Sequence, residues 1–98
     1  MGKYLMLWEL DHTKIPISPQ ERGTGWSPLL GMVKEDLEKG LLKDWGAFVG
    51  ENGGYAVAEG TELEIHTLVQ KWVPFVLFKV HSIASLSQVG EMIKGLSG

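Results

Sequence analysis

Three histidines, His12, His66 and His81, are the only side chains in this 98-residue chain whose ordinary pKa lies near neutrality. His12 stands next to Asp11, and Glu9 precedes Asp11 by two residues, on the same strand parity. A histidine with carboxylate neighbours is the residue set of a general acid or base, so His12 with Asp11 is the expected proton-handling pair. The same carboxylates, joined by Glu59, would offer oxygen ligands to a hard or borderline cation. A solvated loop histidine and acidic residues at a strand end explain the same residues without chemistry. Arg22, the one arginine, lies in the glycine-containing segment ERGTGW; its planar guanidinium suits a carboxylate or phosphate, and a surface ion pair with Glu21 is the plainer use.

Trp8, Trp26, Trp45 and Trp72 can wall an apolar pocket or anchor an interface. Trp72 falls on an apolar helix stripe and reads as core. Trp26 and Trp45 are expected at a pocket mouth, with Arg22 and Glu59 as further ligand-binding candidates. His66, beside the same stripe, is expected to be partly buried, and His81 to lie on a sheet face or an interface. No metal site and no cofactor are expected. The absence of cysteine excludes disulfides, a thiolate nucleophile and cysteine-ligated clusters. Glycines 46, 50, 53 and 54 lack the strand-to-helix context and following lysine of a phosphate loop, so hairpin geometry accounts for them.

These residues need elements to position them. Residues 3–11 (KYLMLWELD) read as a strand with Tyr4, Met6, Trp8 and Leu10 on one face and Leu5 and Leu7 on the other. Ser18-Pro19-Gln20-Glu21 is a helix start, but Gly23, Gly25 and Ser27-Pro28 leave open one kinked helix over 19–39 or a turn followed by a main helix over 27–39. The expected stripe of that helix is Leu30, Val33 and Leu37, widened by Leu29 and Met32, and Gly40 caps it. Residues 41–50 and 54–59 read as strands joined tightly through Glu51-Asn52-Gly53. Thr61 and Glu64 form a capping box for a second helix that reaches Trp72 or Val73, with Ile65, Leu68, Val69 and Trp72 on one face and Pro74 beyond it. Residues 75–82 form the last strand, and 85–96 a short C-terminal helix.

Ninety-eight residues point to one domain, 1–98, with 44% hydrophobic and 21% charged residues, the balance of a folded globular chain. The element order βαββαβ predicts an α+β, ferredoxin-like antiparallel sheet in space order 4-1-3-2 with both helices on one face. Strands one and three are expected to run parallel. That would bring Asp11 and His12 close to Glu59, Asp44 and Trp45, set both helix N-termini at this end, and send His81 to the hairpin end. The second apolar sheet face needs a cover, and a second copy of the chain is the simplest one. A net charge of −3 and the lack of a basic aromatic strand argue against nucleic acid. No apolar run suits a membrane span, the N-terminus does not read as a signal peptide, and Met6 breaks a myristoylation motif, so a cytoplasmic protein is expected.

With this element order, the strand WGAFVG, the hairpin strand GGYAVAEG and the closing PFVLFKVHS resemble the dimeric α+β barrel superfamily over essentially the whole chain. Its small members include muconolactone-isomerase-like, YciI-like, antibiotic-biosynthesis-monooxygenase-like and stress-responsive barrel proteins. The resemblance implies a homodimer built on the open sheet faces. It implies no catalytic residue, because none of the family's catalytic motifs matches here, and the fold hosts isomerases, cofactor-free oxygenases, haem-handling enzymes and pure binders. The first functional expectation is a small-molecule-binding homodimer whose pocket lies between sheet and helices and takes an apolar or aromatic ligand with one anionic group. The alternatives are a cofactor-independent isomerase or monooxygenase acting through His12, and an assembly module without a ligand.

Overall fold

The computed structural model describes residues 2–98. Four strands and three helices alternate along it: β1 (Gly2–Leu10), α1 (Pro19–Glu38), β2 (Leu42–Ala47), β3 (Gly53–Gly60), α2 (Glu62–Gln70), β4 (Val76–Ile83) and α3 (Leu86–Ser97). The strands form one antiparallel sheet in the order β2-β3-β1-β4, an α+β arrangement compatible with the ferredoxin-like fold.

Strand direction differs from the expectation. β1 runs antiparallel to both neighbours, pairing Gly2 with Gly60 and Glu9 with Gly53 on one side, and Lys3 with Ile83 and Leu10 with Val76 on the other. The reason lies in the connections. Each helical crossover returns the chain parallel to the strand it left, and each crossover leaves room for one strand between its pair. β3 sits between β1 and β2, and β1 sits between β3 and β4, so β1 and β3 meet head to tail. The end of β1 therefore meets the β2–β3 hairpin and the start of β4. The N-terminus of α2 lies at the other end of the sheet from that of α1.

Local signals account for most helix ends. Thr61 and Glu64 close a full capping box: the Glu64 N–H donates to Thr61 Oγ1 at 3.1 Å and the Thr61 N–H to Glu64 Oε1 at 2.9 Å. Ser85 and Gln88 repeat it at α3. At α1, Ser18 accepts from the Glu21 N–H, and the helix then runs unbroken through Gly23, Gly25 and Pro28. Pro28 and the Thr24 carbonyl it deprives of a donor are on exposed positions, where water can satisfy the oxygen.

The Glu64 carboxyl has its pKa lowered, chiefly by the backbone N–H of Thr61. A lowered carboxyl pKa stabilises the fold above the unfolded value, and that contribution disappears as pH falls through the folded value. An NMR titration is expected to place Glu64 below the ordinary glutamate value. Glu64→Gln, which keeps a hydrogen-bonding side chain but no charge, is expected to lose less stability than the parent between neutral pH and acid. Equal acid sensitivity would contradict the cap.

The core lies on the helix-covered face: Met6, Ala56, Ala58, Leu42 and Val76 from the sheet meet Val33 of α1, Ile65 and Leu68 of α2, and Trp72 just beyond α2. Of the stripe expected on α1, Val33 is buried in the core and Leu29 and Met32 pack against it. Leu30 and Leu37 stand more than a third exposed, whereas Asp36 is 3% exposed. Its burial is offset by Lys71, whose Nζ donates to both carboxylate oxygens at 2.8 Å.

The opposite sheet face carries Leu5, Leu7, Tyr55, Val57, Leu77 and Ile83, with Leu77 55% exposed. Here the Tyr55 hydroxyl donates to Asp44 Oδ2 at 2.8 Å, which pushes the phenol's pKa up. His81 is exposed on this face opposite Leu5, far from the hairpin, and His66 is exposed on α2 rather than partly buried. The molecule measures 61 × 26 × 20 Å. α3 presents Leu86, Met92, Ile93 and Leu96 to solvent. Among the described residues no helix is long and apolar enough to cross a membrane.

Candidate functional site: a tryptophan-walled pocket

A cavity of about 430 Å³ lies between the N-terminal half of α1 and the helix-covered face of the sheet. Its size is that of a small-molecule site. The floor is built by strand parity. Met6, Trp8 and Leu10 point to the helices from β1, as do Ala56 from β3 and Val76 and Phe78 from β4. Trp45 and Ala47 extend the floor on β2, Trp72 closes one side, and Trp26, Leu29 and Val33 of α1 form the roof. The space exists because α1 offers small residues over part of it. Gly23 and Ser27 take lining positions that a large side chain would fill.

Trp8 and Trp45 stack with ring centroids 5.3 Å apart and planes 8° from parallel. They belong to strands that do not touch, since β3 lies between them. Trp8 pairs with Gly54 and Trp45 with Ala56, so the intervening strand carries only a hydrogen and a methyl group beneath the rings. A Cβ at Gly54 would stand 2.7 Å from Trp8 Cζ2, inside van der Waals contact. The Trp8 Nε1–H donates to the Tyr55 carbonyl at 3.2 Å, which fixes the indole and leaves no orphaned donor.

The polar lining is sparse and lies at the rim. Glu51 and Asn52 come from the β2–β3 turn, and Ser27 from α1. A second hollow of about 210 Å³ adjoins the first, sharing Leu10, Trp26 and Leu29 and adding Asp11, Lys14 and Phe75.

The residues singled out from the sequence divide. Trp26 and Trp45 line the pocket. Asp11 lies in the smaller hollow, where its Oδ1 accepts from the Thr13 hydroxyl at 2.7 Å and the Thr13 N–H at 2.9 Å. These bonds cap the short 3-10 turn His12–Lys14 and lower the Asp11 pKa, the hydroxyl bond most. His12 is exposed outside both linings, its Nε2 3.3 Å from Glu9 Oε1. Arg22 lines neither hollow. Its Nη1 donates to the Pro16 carbonyl at 3.1 Å and the Ile17 carbonyl at 2.7 Å, so the guanidinium ties the loop to α1.

Glu59 is not near His12. It pairs with Lys3 at the far end of β1 and sits 3.7 Å from Lys43 Nζ. Eight residue steps of extended chain lead from Lys3 to Asp11, roughly 25 Å. Asp44 lies across from Val57, towards that far end. The expected cluster of Asp11, His12, Glu59 and Asp44 therefore does not form, because it followed from a parallel β1–β3 pair. Among the described residues no three His, Asp or Glu side chains gather where they could hold a metal ion.

Trp8, Trp72, Phe78 and Glu51 are among the lining residues whose place in the pocket is not evident from the sequence. Parity with Met6 was the signal for Trp8. For Trp72 the core assignment also holds, as it is 9% exposed and its indole faces both core and cavity. No family model matches this chain, and no curated protein matches it.

Proposed function

We propose that this chain is a small-molecule-binding protein of the dimeric α+β barrel type, in which each protomer encloses an apolar, largely aromatic ligand beneath α1. The observation that carries this reading is the cavity of about 430 Å³ walled by all four tryptophans. A filled core at this point would have favoured an assembly module without a ligand. Binding is preferred to proton-transfer catalysis because Asp11 is engaged as a turn cap and His12 faces solvent outside the lining. The homodimer is supported by the second sheet face, where Leu5 and Leu7 stand opposite Val57 and Tyr55 and no helix covers Leu77, which is 55% exposed.

The test pairs native mass spectrometry with a neutral fluorescent probe, N-phenyl-1-naphthylamine. A species of twice the 10.8 kDa chain mass is expected, with saturable probe binding at one site per protomer. Trp45→Ala is expected to weaken the probe about tenfold through lost stacking and contact area. A chain-mass species alone would overturn the dimer. Non-saturable binding, or an unchanged affinity in Trp45→Ala, would overturn the pocket.

A further inference from the structure

Resting on the pocket reading above, we infer that its ligand is a cation: a flat aromatic body carrying a quaternary or protonated nitrogen, with the body under α1 and the nitrogen directed to the rim at Glu51. The chemistry of the lining leads there. Indole has the most negative aromatic face among the side chains, and Trp8, Trp26, Trp45 and Trp72 surround one space. Among the described residues, Glu51 is the single ionisable residue of that lining. It stands at the open rim, where a ligand's charged end would keep partial contact with water.

Three groups that would hold an anion are turned elsewhere, and the N-terminus of α1 is capped by Ser18. The Arg22 guanidinium is bonded to the Pro16 and Ile17 carbonyls. The N-terminus of α2 lies at the opposite end of the sheet, closed by its own capping box. Lys14 belongs to the adjacent hollow together with Asp11, so that hollow carries one charge of each sign. An anion in the main pocket would lose its hydration against indole rings and meet a carboxylate at the exit. A neutral aromatic would gain the stacking and nothing from Glu51. A cation gains both.

Three probes of nearly one shape separate these cases: 1-methylquinolinium, 1-methylnaphthalene and 1-naphthoate, titrated by calorimetry while the four indole N–H signals are followed by NMR. The cation is expected to bind about tenfold tighter than the neutral hydrocarbon, and the anion most weakly. Glu51→Gln, a change in an exposed turn, is expected to reduce the cation's advantage about threefold and leave the hydrocarbon's affinity alone, and added salt should act in the same direction. Equal or tighter binding of the hydrocarbon or the anion, with the indole signals moving, would overturn the cation assignment and leave the pocket standing. An unaltered preference in Glu51→Gln would remove Glu51 from the site. Indole signals unmoved by all three probes would overturn both the pocket and its ligand.

Discussion

Trp72→Ala is expected to lower folding stability by about 3–5 kcal/mol, the range for truncating a large buried aromatic. Trp72 follows the end of α2, where its N–H donates to the Val69 carbonyl. Its own carbonyl accepts from the Phe75 and Val76 N–H groups at 2.8 and 3.0 Å, turning the chain into β4. The indole packs into the core on one side and bounds the pocket on the other. That placement sets the size of the effect. Collapse around a truncated side chain recovers part of the loss in a dense core, but here the new void would open into a cavity already present. Urea unfolding should show the loss as a lower midpoint at an unchanged slope. A domain of this size has a margin of only about 5–15 kcal/mol, so Trp72→Phe serves as the milder variant. It keeps an apolar wall, and about 1–2 kcal/mol is expected. A cost below about 1 kcal/mol for the alanine variant would show that the indole is not packed as described.

Gly54→Ala is expected to cost about 2–3 kcal/mol and to disturb the Trp8–Trp45 stack, although it adds one methyl group. The Cβ would overlap the Gly46 carbonyl oxygen of the neighbouring strand and stand 2.8 Å from the Ala47 Cα. The Trp8 ring can swing aside, but two backbone atoms of β2 can move only by displacing that strand, and Trp45 rides on it. The stack should therefore weaken together with stability. Near-UV circular dichroism reads the coupled indoles, and the alanine variant is expected to lose that signal in part. Gly25→Ala is the control: its Cβ meets nothing within 4 Å on an exposed turn of α1. It is expected to leave the indole signal intact and to raise stability by about 0.5–1 kcal/mol through helix propensity and a less flexible unfolded chain. An unaltered indole signal in Gly54→Ala would show that the strip beneath the rings tolerates a side chain.

Much of this architecture is legible in the sequence, and the legible parts are local. Thr61 with Glu64 announces a helix start because both bonds of the box form within one turn. Alternation along residues 3–11 separates Tyr4, Met6, Trp8 and Leu10 from Leu5 and Leu7 because side chains on a strand alternate faces. The order of elements limits the sheet to few topologies, and β2-β3-β1-β4 is among them. Where local signals conflict, as at Gly23, Gly25 and Pro28, residue type alone does not say whether the helix continues. There Val33, with Leu29 and Met32, packs against the core and holds the helix that runs on from them.

The site divides in the same way. Residue types by themselves marked Trp26 and Trp45 for an apolar pocket, since large amphipathic rings favour such places wherever they lie in the chain. Which residues they join depended on strand direction. With β1 antiparallel to β3, Glu59 goes to the far end of the sheet and the hairpin residues Glu51 and Asn52 come to the end of β1. The uses of Asp11 and Arg22 depended on their nearest competing partners, Thr13 for the one and two loop carbonyls for the other. Caps, alternation and element order are properties of a few consecutive residues and are written in the sequence. The meeting of strand ends, and the void left where Gly23 and Ser27 face two stacked indoles, arise only when segments distant along the chain share one space.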